Sequence, residues 1–487
     1  MLGTSGQAFL LGYLASLLLI GWLGRRARRD NSLEDFYLAG RGLGLPTLFF
    51  SLYATQYSGN ALVGYPANAY RQGFTFFSAI TFMLGIVGVY WLFAPRLQRL
   101  STHRRYLTPG DLIRDRYGHK ALLATLNVVF VVVLASYILA NLKAVGQVLY
   151  AVTDGNVSLA GAIWMAALIM VIYESLGGMR SVAWTDAIQG LLLLLGCITF
   201  FVAINMHYDG VPRLLELLKE QRPEFWEPPD ATRLAGYASI ILVVAFGAAV
   251  YPQALQRIFS AKSPAVLRRS LQLMLVMPLL TITLVLAIGL TGAAVLPGLD
   301  RAASEGITLA LLADLIEAVP TLRWLFVMFL AAALAAIMST IDSALLALSS
   351  LFTQDFYRRW RPGASEAQLT LTGKVFSWLV MAAMATLAIH LPQTIWQLTV
   401  VKLEVLCQAA PAILGAVQRH PPSGGAVLRG LATGLAVVLL LRVSSGVGWL
   451  ASDSPLGVES GAWGLMANVA IVWLAGRRLQ AASPSAG

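Results

Sequence analysis

Charge is what this 487-residue chain has least of. Asp, Glu, Lys and Arg make up 12% of it against 57% apolar residues, and the mean hydropathy is +0.70. A soluble domain carries about 25% charge. Water does not solvate so apolar a surface, so the solvent is a bilayer. Cysteine is nearly absent. Cys197 and Cys407 both sit in apolar runs, which leaves no disulfide framework and no thiolate metal spacing. The five histidines are scattered over loops and helix ends. No H-E-x-x-H and no G-x-x-x-x-G-K-[ST] occurs, which removes zinc proteases and ATP motors. No nucleophile–base or metal motif suggests an enzyme. A long polar block is missing too. Apolar runs recur from residue 6 to residue 476, so 1–487 reads as a single membrane domain. The first run is followed by GRRARRD rather than by a small-residue cleavage site, and reads as a retained span.

About 20 apolar residues cross the hydrocarbon core. Thirteen segments qualify, at about 6–24, 44–70, 75–95, 120–150, 158–174, 184–205, 236–259, 270–296, 324–352, 370–390, 394–417, 425–441 and 461–476. The expected class is an all-α transmembrane protein of 13 helices. The basic residues test that count, because cytoplasmic loops hold an excess of Lys and Arg. With the N-terminus outside, the outer loops hold Arg71, Arg213, Lys219, Arg222, Arg233, Arg301, Arg323 and Arg442. Lys143, Arg257 and Lys402 fall within or near spans. The remaining 24 of the 35 basic residues lie inside. The net charge of +11 thus reports membrane orientation rather than a nucleic-acid partner. The expected location is the plasma (inner) membrane, with the C-terminus cytoplasmic. The longest outer loops, about 206–235 and 297–323, read as short surface helices.

Two spans break the apolar pattern. The second carries Ala54-Thr55-Gln56-Tyr57-Ser58-Gly59-Asn60, then Gly64 and Pro66. Irregular backbone at membrane depth is tolerated only where it lines a cavity or packs in protein. The seventh carries Gly247 and Pro252. Five spans separate the two, which fits inverted halves over spans 2–6 and 7–11, with spans 2 and 7 broken.

The ninth span holds Ser339, Thr340, Asp342 and Ser343. Ser339, Asp342 and Ser343 follow i, i+3, i+4 spacing and share one helical face. Hydroxyl and carboxylate oxygens on one face suit a hard monovalent cation. A hydroxyl that bonds back to the i−4 carbonyl is the plainer reading for a single Ser or Thr. It leaves Asp342 unexplained, since a carboxylate at the bilayer centre costs about 2.5–3.5 kcal/mol on insertion scales. Asp186 opens the sixth span, where a helix N-terminal charge is the competing reading. Lys402 and Glu404 are two apart, so they do not face one another on a helix.

At these residues the chain resembles the sodium:solute symporter family. The matching stretches are EDFYLAGRGL (34–43), ATQYSGNALVGYPANAYRQG (54–73), LTPGDLIRDRYG (107–118), GGMRSVAWTDAIQ (177–189), YPQALQRIFSAKS (251–263) and AAIMSTIDSALLALSSLFTQDFY (335–357). The resemblance implies a LeuT-like 5+5 inverted repeat in spans 2–11, alternating access, Na⁺ as coupling ion and a small organic solute as cargo. It places sodium at Ala54, Tyr57, Ala336, Ser339 and Thr340. A second cation site would fall on Asp186, Ser339, Asp342 and Ser343. Proline-transporting members have aromatic groups where this chain has Val244 and Ala248, which disfavours proline. The expected solute wall is Gln56, Ser58, Asn60, Phe246 and Tyr251. The rival readings are a proton-coupled carrier of the same fold, with Asp186 or Asp342 protonated, and a non-transporting membrane sensor.

Overall fold

Several helices begin on short polar side chains that take up the free N–H groups of a first turn. Ser158 accepts from Gly161 N at 3.1 Å, Asp230 from Arg233 N at 2.7 Å and Ser423 from Ala426 N at 3.3 Å. A computed structural model describes residues 3–57, 59–153, 155–319, 323–390, 402–447, 449–450 and 452–481. Its main helices are α1 (Gly3–Arg26), α2 (Leu45–Gln56), α3 (Gly64–Gln72), α4 (Ser78–Arg104), α5 (Lys120–Val152), α6 (Leu159–Gly177), α7 (Met179–His207) and α8 (Ala231–Ala249). They continue as α9 (Pro252–Ser260), α10 (Pro264–Val295), α11 (Ile307–Ala318), α12 (Arg323–Leu351), α13 (Glu366–His390), α14 (Gly424–Gly446) and α15 (Ser460–Ala481).

Among the described residues, 10 helices are long and apolar enough to cross a membrane, and a shorter one covers Ser460–Ala475. They correspond to all the expected spans but two. The segment at 44–70, expected as a broken span, is divided into α2, a short turn at Gly59–Leu62 and α3. In the span expected at 394–417, residues 391–401 lie outside the described residues, and helical structure runs on from Lys402. The outer loops carry short helices as expected, at Gly210–Gln221 and α11. On α11, Ile307, Thr308, Leu311, Leu312 and Leu315 form one buried face, and Thr308 Oγ1 donates to Leu62 O at 3.2 Å.

Two chain breaks face the interior. At the end of α2, Tyr57 leaves helical geometry with φ −103° and ψ 87°. Between α8 and α9, Tyr251 is extended, with φ −54° and ψ 132°. Pro252 explains the second break. It has no N–H to donate, and it pushes the residue before it out of the helical region. A short parallel bridge, Leu43 to Ala261, ties the lead-in of α2 to the end of α9. Leu43 N donates to Ser260 O at 3.1 Å and Lys262 N to Leu43 O at 3.0 Å.

α12 is the centre of the bundle. The whole of its most apolar 18-residue window is buried, against 28% for α8 and for α13. Small residues let the other helices reach it. A Cβ on Gly196 of α7 would stand 2.6 Å from the Ala332 methyl, so the two backbones approach closely only because glycine is there.

Candidate transport site

The broken end of α2 lies against the middle of α12. Ala54, Tyr57, Ala336, Ser339 and Thr340 are all buried. Thr55 Oγ1 lies 3.5 Å from Ser343 Oγ and bridges the two helices. The last carbonyls of a helix have no donor within it, so those in the final turn of α2 are open to other partners. On α12 the hydroxyls are spent unequally. Thr340 Oγ1 donates to Ala336 O at 3.0 Å and Ser343 Oγ to Ser339 O at 2.7 Å, the i−4 pattern. Among the described residues, Ser339 Oγ is buried without a hydrogen-bond partner. A buried hydroxyl left unpaired is costly, and it fits an oxygen-liganded cation.

Beside it lies an ion pair that the sequence did not reveal. Arg257, on α9, is fully buried. Its Nη2 donates to Asp186 Oδ2 at 2.7 Å, its Nε to Ser51 Oγ at 2.8 Å and its Nη1 to Gln253 O at 3.1 Å. Nη2 also donates to Ser343 Oγ. Ser51 Oγ donates to Asp186 Oδ2 at 2.5 Å. The residues expected to form a second cation site are therefore divided. Asp186 and Ser343 surround the Arg257 guanidinium. Asp342 instead accepts from Tyr173 on α6 and leaves its Oδ1 without a partner. Among the described residues, Asp186 Oδ1, Ser339 Oγ and Asp342 Oδ1 are each buried without a hydrogen-bond partner, and of the three only the Ser339 oxygen is a hydroxyl.

A cavity of about 60 Å³ opens next to this core, lined by Thr55, Gln56, Tyr65, Tyr90, Tyr137, Val244, Ala248, Tyr251 and Lys402 with Leu52, Met83 and Ile86. Gln56 Nε2 donates to Tyr90 Oη at 2.8 Å. Tyr137 and Tyr251 stack with centroids 5.2 Å apart. Of the expected solute wall, Gln56 and Tyr251 are here. Phe246 is not. It lines a separate groove with Leu414, Leu465, Val469 and Trp473. Val244 and Ala248 face the cavity, and each is two residues from Phe246. Two residues turn a helix by about 200°, which puts Phe246 on the opposite side. Ser58 and the side chain of Asn60 lie outside the described residues. Tyr90, Tyr137 and Lys402 also line this cavity and were not expected there. Their signal in the sequence was weak, since tyrosines inside long apolar helices read as core.

Glu404 faces away from the cavity. It accepts from Arg442 Nη2 at 2.6 Å, Arg442 Nε at 2.9 Å and Ser460 Oγ at 2.8 Å. Lys402 and Glu404 thus point to different surroundings, as their spacing of two requires.

Known proteins share this architecture. The chain is 27% identical to the sodium/proline symporter of Salmonella typhimurium, over 77% of this chain and 74% of that one. It is also 27% identical to the sodium/pantothenate symporter of Haemophilus influenzae, over 75% of each. A solved Na⁺-coupled sialic acid symporter in a substrate-bound, outward-open state superposes with a TM-score of 0.80. It covers 100% of this chain and 99% of that one, at 19% identity, a likeness of fold. The family model described as "Sodium:solute symporter family" matches residues 36–418. The chain belongs to the sodium:solute symporter family and is a multi-pass membrane transporter that moves a small solute with sodium.

Proposed function

We propose that sodium binds between the broken end of α2 and the centre of α12. The carbonyls of Ala54, Tyr57 and Ala336 and the hydroxyls of Ser339 and Thr340 would hold it. The observation that carries this reading is the unpartnered Ser339 hydroxyl, buried opposite the open end of α2. Carbonyl and hydroxyl oxygens ligate a monovalent ion without adding charge. The solute binds in the adjoining cavity, and the helices carrying the two sites rock to expose them to either side in turn. Thirteen spans, with spans 2–11 forming the inverted repeat, put the N-terminus outside and the C-terminus in the cytoplasm of a cell bounded by this membrane. The 24-to-8 charge asymmetry of the loops supports that orientation.

One sodium per cycle is the simplest stoichiometry. The Arg257 guanidinium already supplies positive charge between Asp186 and Ser343, where a second ion would sit. In proteoliposomes, an inward Na⁺ gradient should drive solute uptake. Ser339→Ala should raise the Na⁺ concentration needed for half-maximal uptake. Unchanged Na⁺ dependence in that variant removes the site.

A specific observation also favours proton coupling. Asp342 Oδ1 is a buried carboxylate oxygen without a partner, and such a group can carry a proton across. Uptake that follows an imposed pH gradient and ignores Na⁺ selects that reading.

A further inference from the structure

Lys402 brings a second buried cation to the centre of the molecule, and nothing in the described structure balances it. The residue is 5% exposed, and its Nζ stands 3.5 Å from the centroid of the Tyr137 ring. That ring stacks on Tyr251, and all three residues line the cavity beside the sodium site. Among the described residues, no Asp or Glu lines that cavity. Among the described residues, no carboxylate lies within ion-pair distance of Lys402. Glu404, the nearest acid in sequence, is taken up by Arg442 and Ser460. Residues 391–401 read LPQTIWQLTVV and contain no acid at all.

A lone ammonium in a membrane interior is costly, and such charges mark ion or solute pathways. The face of Tyr137 offsets part of that cost. An aromatic quadrupole is not a counter-ion, so one charge in the cavity stays open. A second donor is available there as well. Tyr90 Oη accepts from Gln56, which leaves its own proton free to be given.

We propose that Lys402 binds the anionic head of the solute, and that the cargo is a small organic monoanion, a carboxylate. Its oxygens accept from Lys402 Nζ and from the Tyr90 hydroxyl. Its carbon skeleton lies against Leu52, Met83 and Val244. A cationic or zwitterionic solute fits poorly, because the described residues of the cavity wall include no carboxylate to receive an amine. This assignment rests on the reading of the cavity as the solute site of a sodium symporter.

The test uses the purified full-length chain. Thermal unfolding is followed in NaCl and in KCl with acetate, propionate, lactate and pyruvate, each beside its uncharged amide. A ligand that binds only the folded chain raises Tm. At least one of the acids should raise Tm in NaCl while its amide does not. Lys402→Met should raise the half-saturating acid concentration roughly 10- to 100-fold, the usual scale for losing a charged hydrogen bond. Lys402→Arg, which keeps the charge, should retain part of the binding. Lys402→Met removes an unbalanced charge, so it should melt no lower than the parent.

Three results each overturn the proposal: amides that stabilise as well as their acids, no stabilisation by any of the four acids, or an acid affinity unchanged in Lys402→Met. Acid stabilisation that is equal in NaCl and KCl leaves the Lys402 assignment standing and removes the sodium reading. Stabilisation by Na⁺ with no response to any acid does the reverse.

Discussion

Arg257 and Lys402 are both buried cations near the same cavity, and only Arg257 is complete. The guanidinium uses its planar fork on Asp186, Ser51, Ser343 and the Gln253 carbonyl. Arginine suits such a multidentate role. Lys402 has one aromatic face and open space. A buried charge whose three nitrogens are all hydrogen-bonded holds helices in register. A buried charge without a partner makes sense only when something else supplies one. The contrast separates a structural ion pair from a binding group in a region where composition would treat the two alike.

The largest effect tests the Arg257 side. Asp186→Ala leaves the guanidinium buried without its counter-charge, which should cost about 3–5 kcal/mol. Thermal unfolding of the purified protein reads it directly. The double variant Asp186→Leu with Arg257→Met should recover most of that loss, because replacing a whole buried pair is often neutral. A single variant as stable as the parent would erase the contrast between the two cations.

Lys402→Met tests the other side, and its signature is the opposite. Its stability without solute should match or exceed the parent. The cost appears only in solute affinity, at about 1.4–2.8 kcal/mol for a 10- to 100-fold change. A variant that unfolds easily would make Lys402 structural after all, and the two cations would belong to one class.

Ser339→Ala gives a smaller effect again. The hydroxyl has no hydrogen-bond partner among the described residues, so its removal should change folding stability by less than about 1 kcal/mol. Half-saturating Na⁺ in proteoliposome uptake should rise by about tenfold, the loss of one ligand. Thr340→Ala should add a folding cost, because Thr340 Oγ1 also bonds the Ala336 carbonyl.

The smallest expected effect is on voltage. One Na⁺ carried with one monoanion moves no net charge. Moving a single net charge through 100 mV is worth about 2.3 kcal/mol. A potential set by a K⁺ diffusion gradient should therefore leave the uptake rate within about twofold. A steep voltage dependence would mean a second sodium or a neutral solute.

Much of the fold could be read before any coordinates. A hydrophobic run long enough to cross a bilayer is a local property, so the helices stand close to where hydropathy put them. The segment at 44–70 is instructive. The polar Gln56-Tyr57-Ser58-Gly59-Asn60 stretch led to the expectation of a broken span, and the helix there ends at Gln56 and resumes after a short turn. Ser339 and Thr340 were expected as sodium ligands from the resemblance; both are buried, Thr340 bonds back to the Ala336 carbonyl, and Ser339 Oγ has no partner among the described residues. Phe246 was misplaced because its side of α8 depends on helix rotation, which an almost uniformly apolar segment does not encode.

The sequence by itself determined the solvent, the helical class and the polar positions, because burial in lipid forbids unpaired backbone and isolated charge. Only the tertiary structure decided which charges meet. Asp186, Ser51, Arg257 and Ser343 come from four helices, and helix spacing within one segment carries no information about its neighbours. The same packing left Lys402 facing a cavity and Glu404, two residues on, facing Arg442. Rotation by about 200° between them is fixed by the helix. What lies on either side is fixed by the bundle.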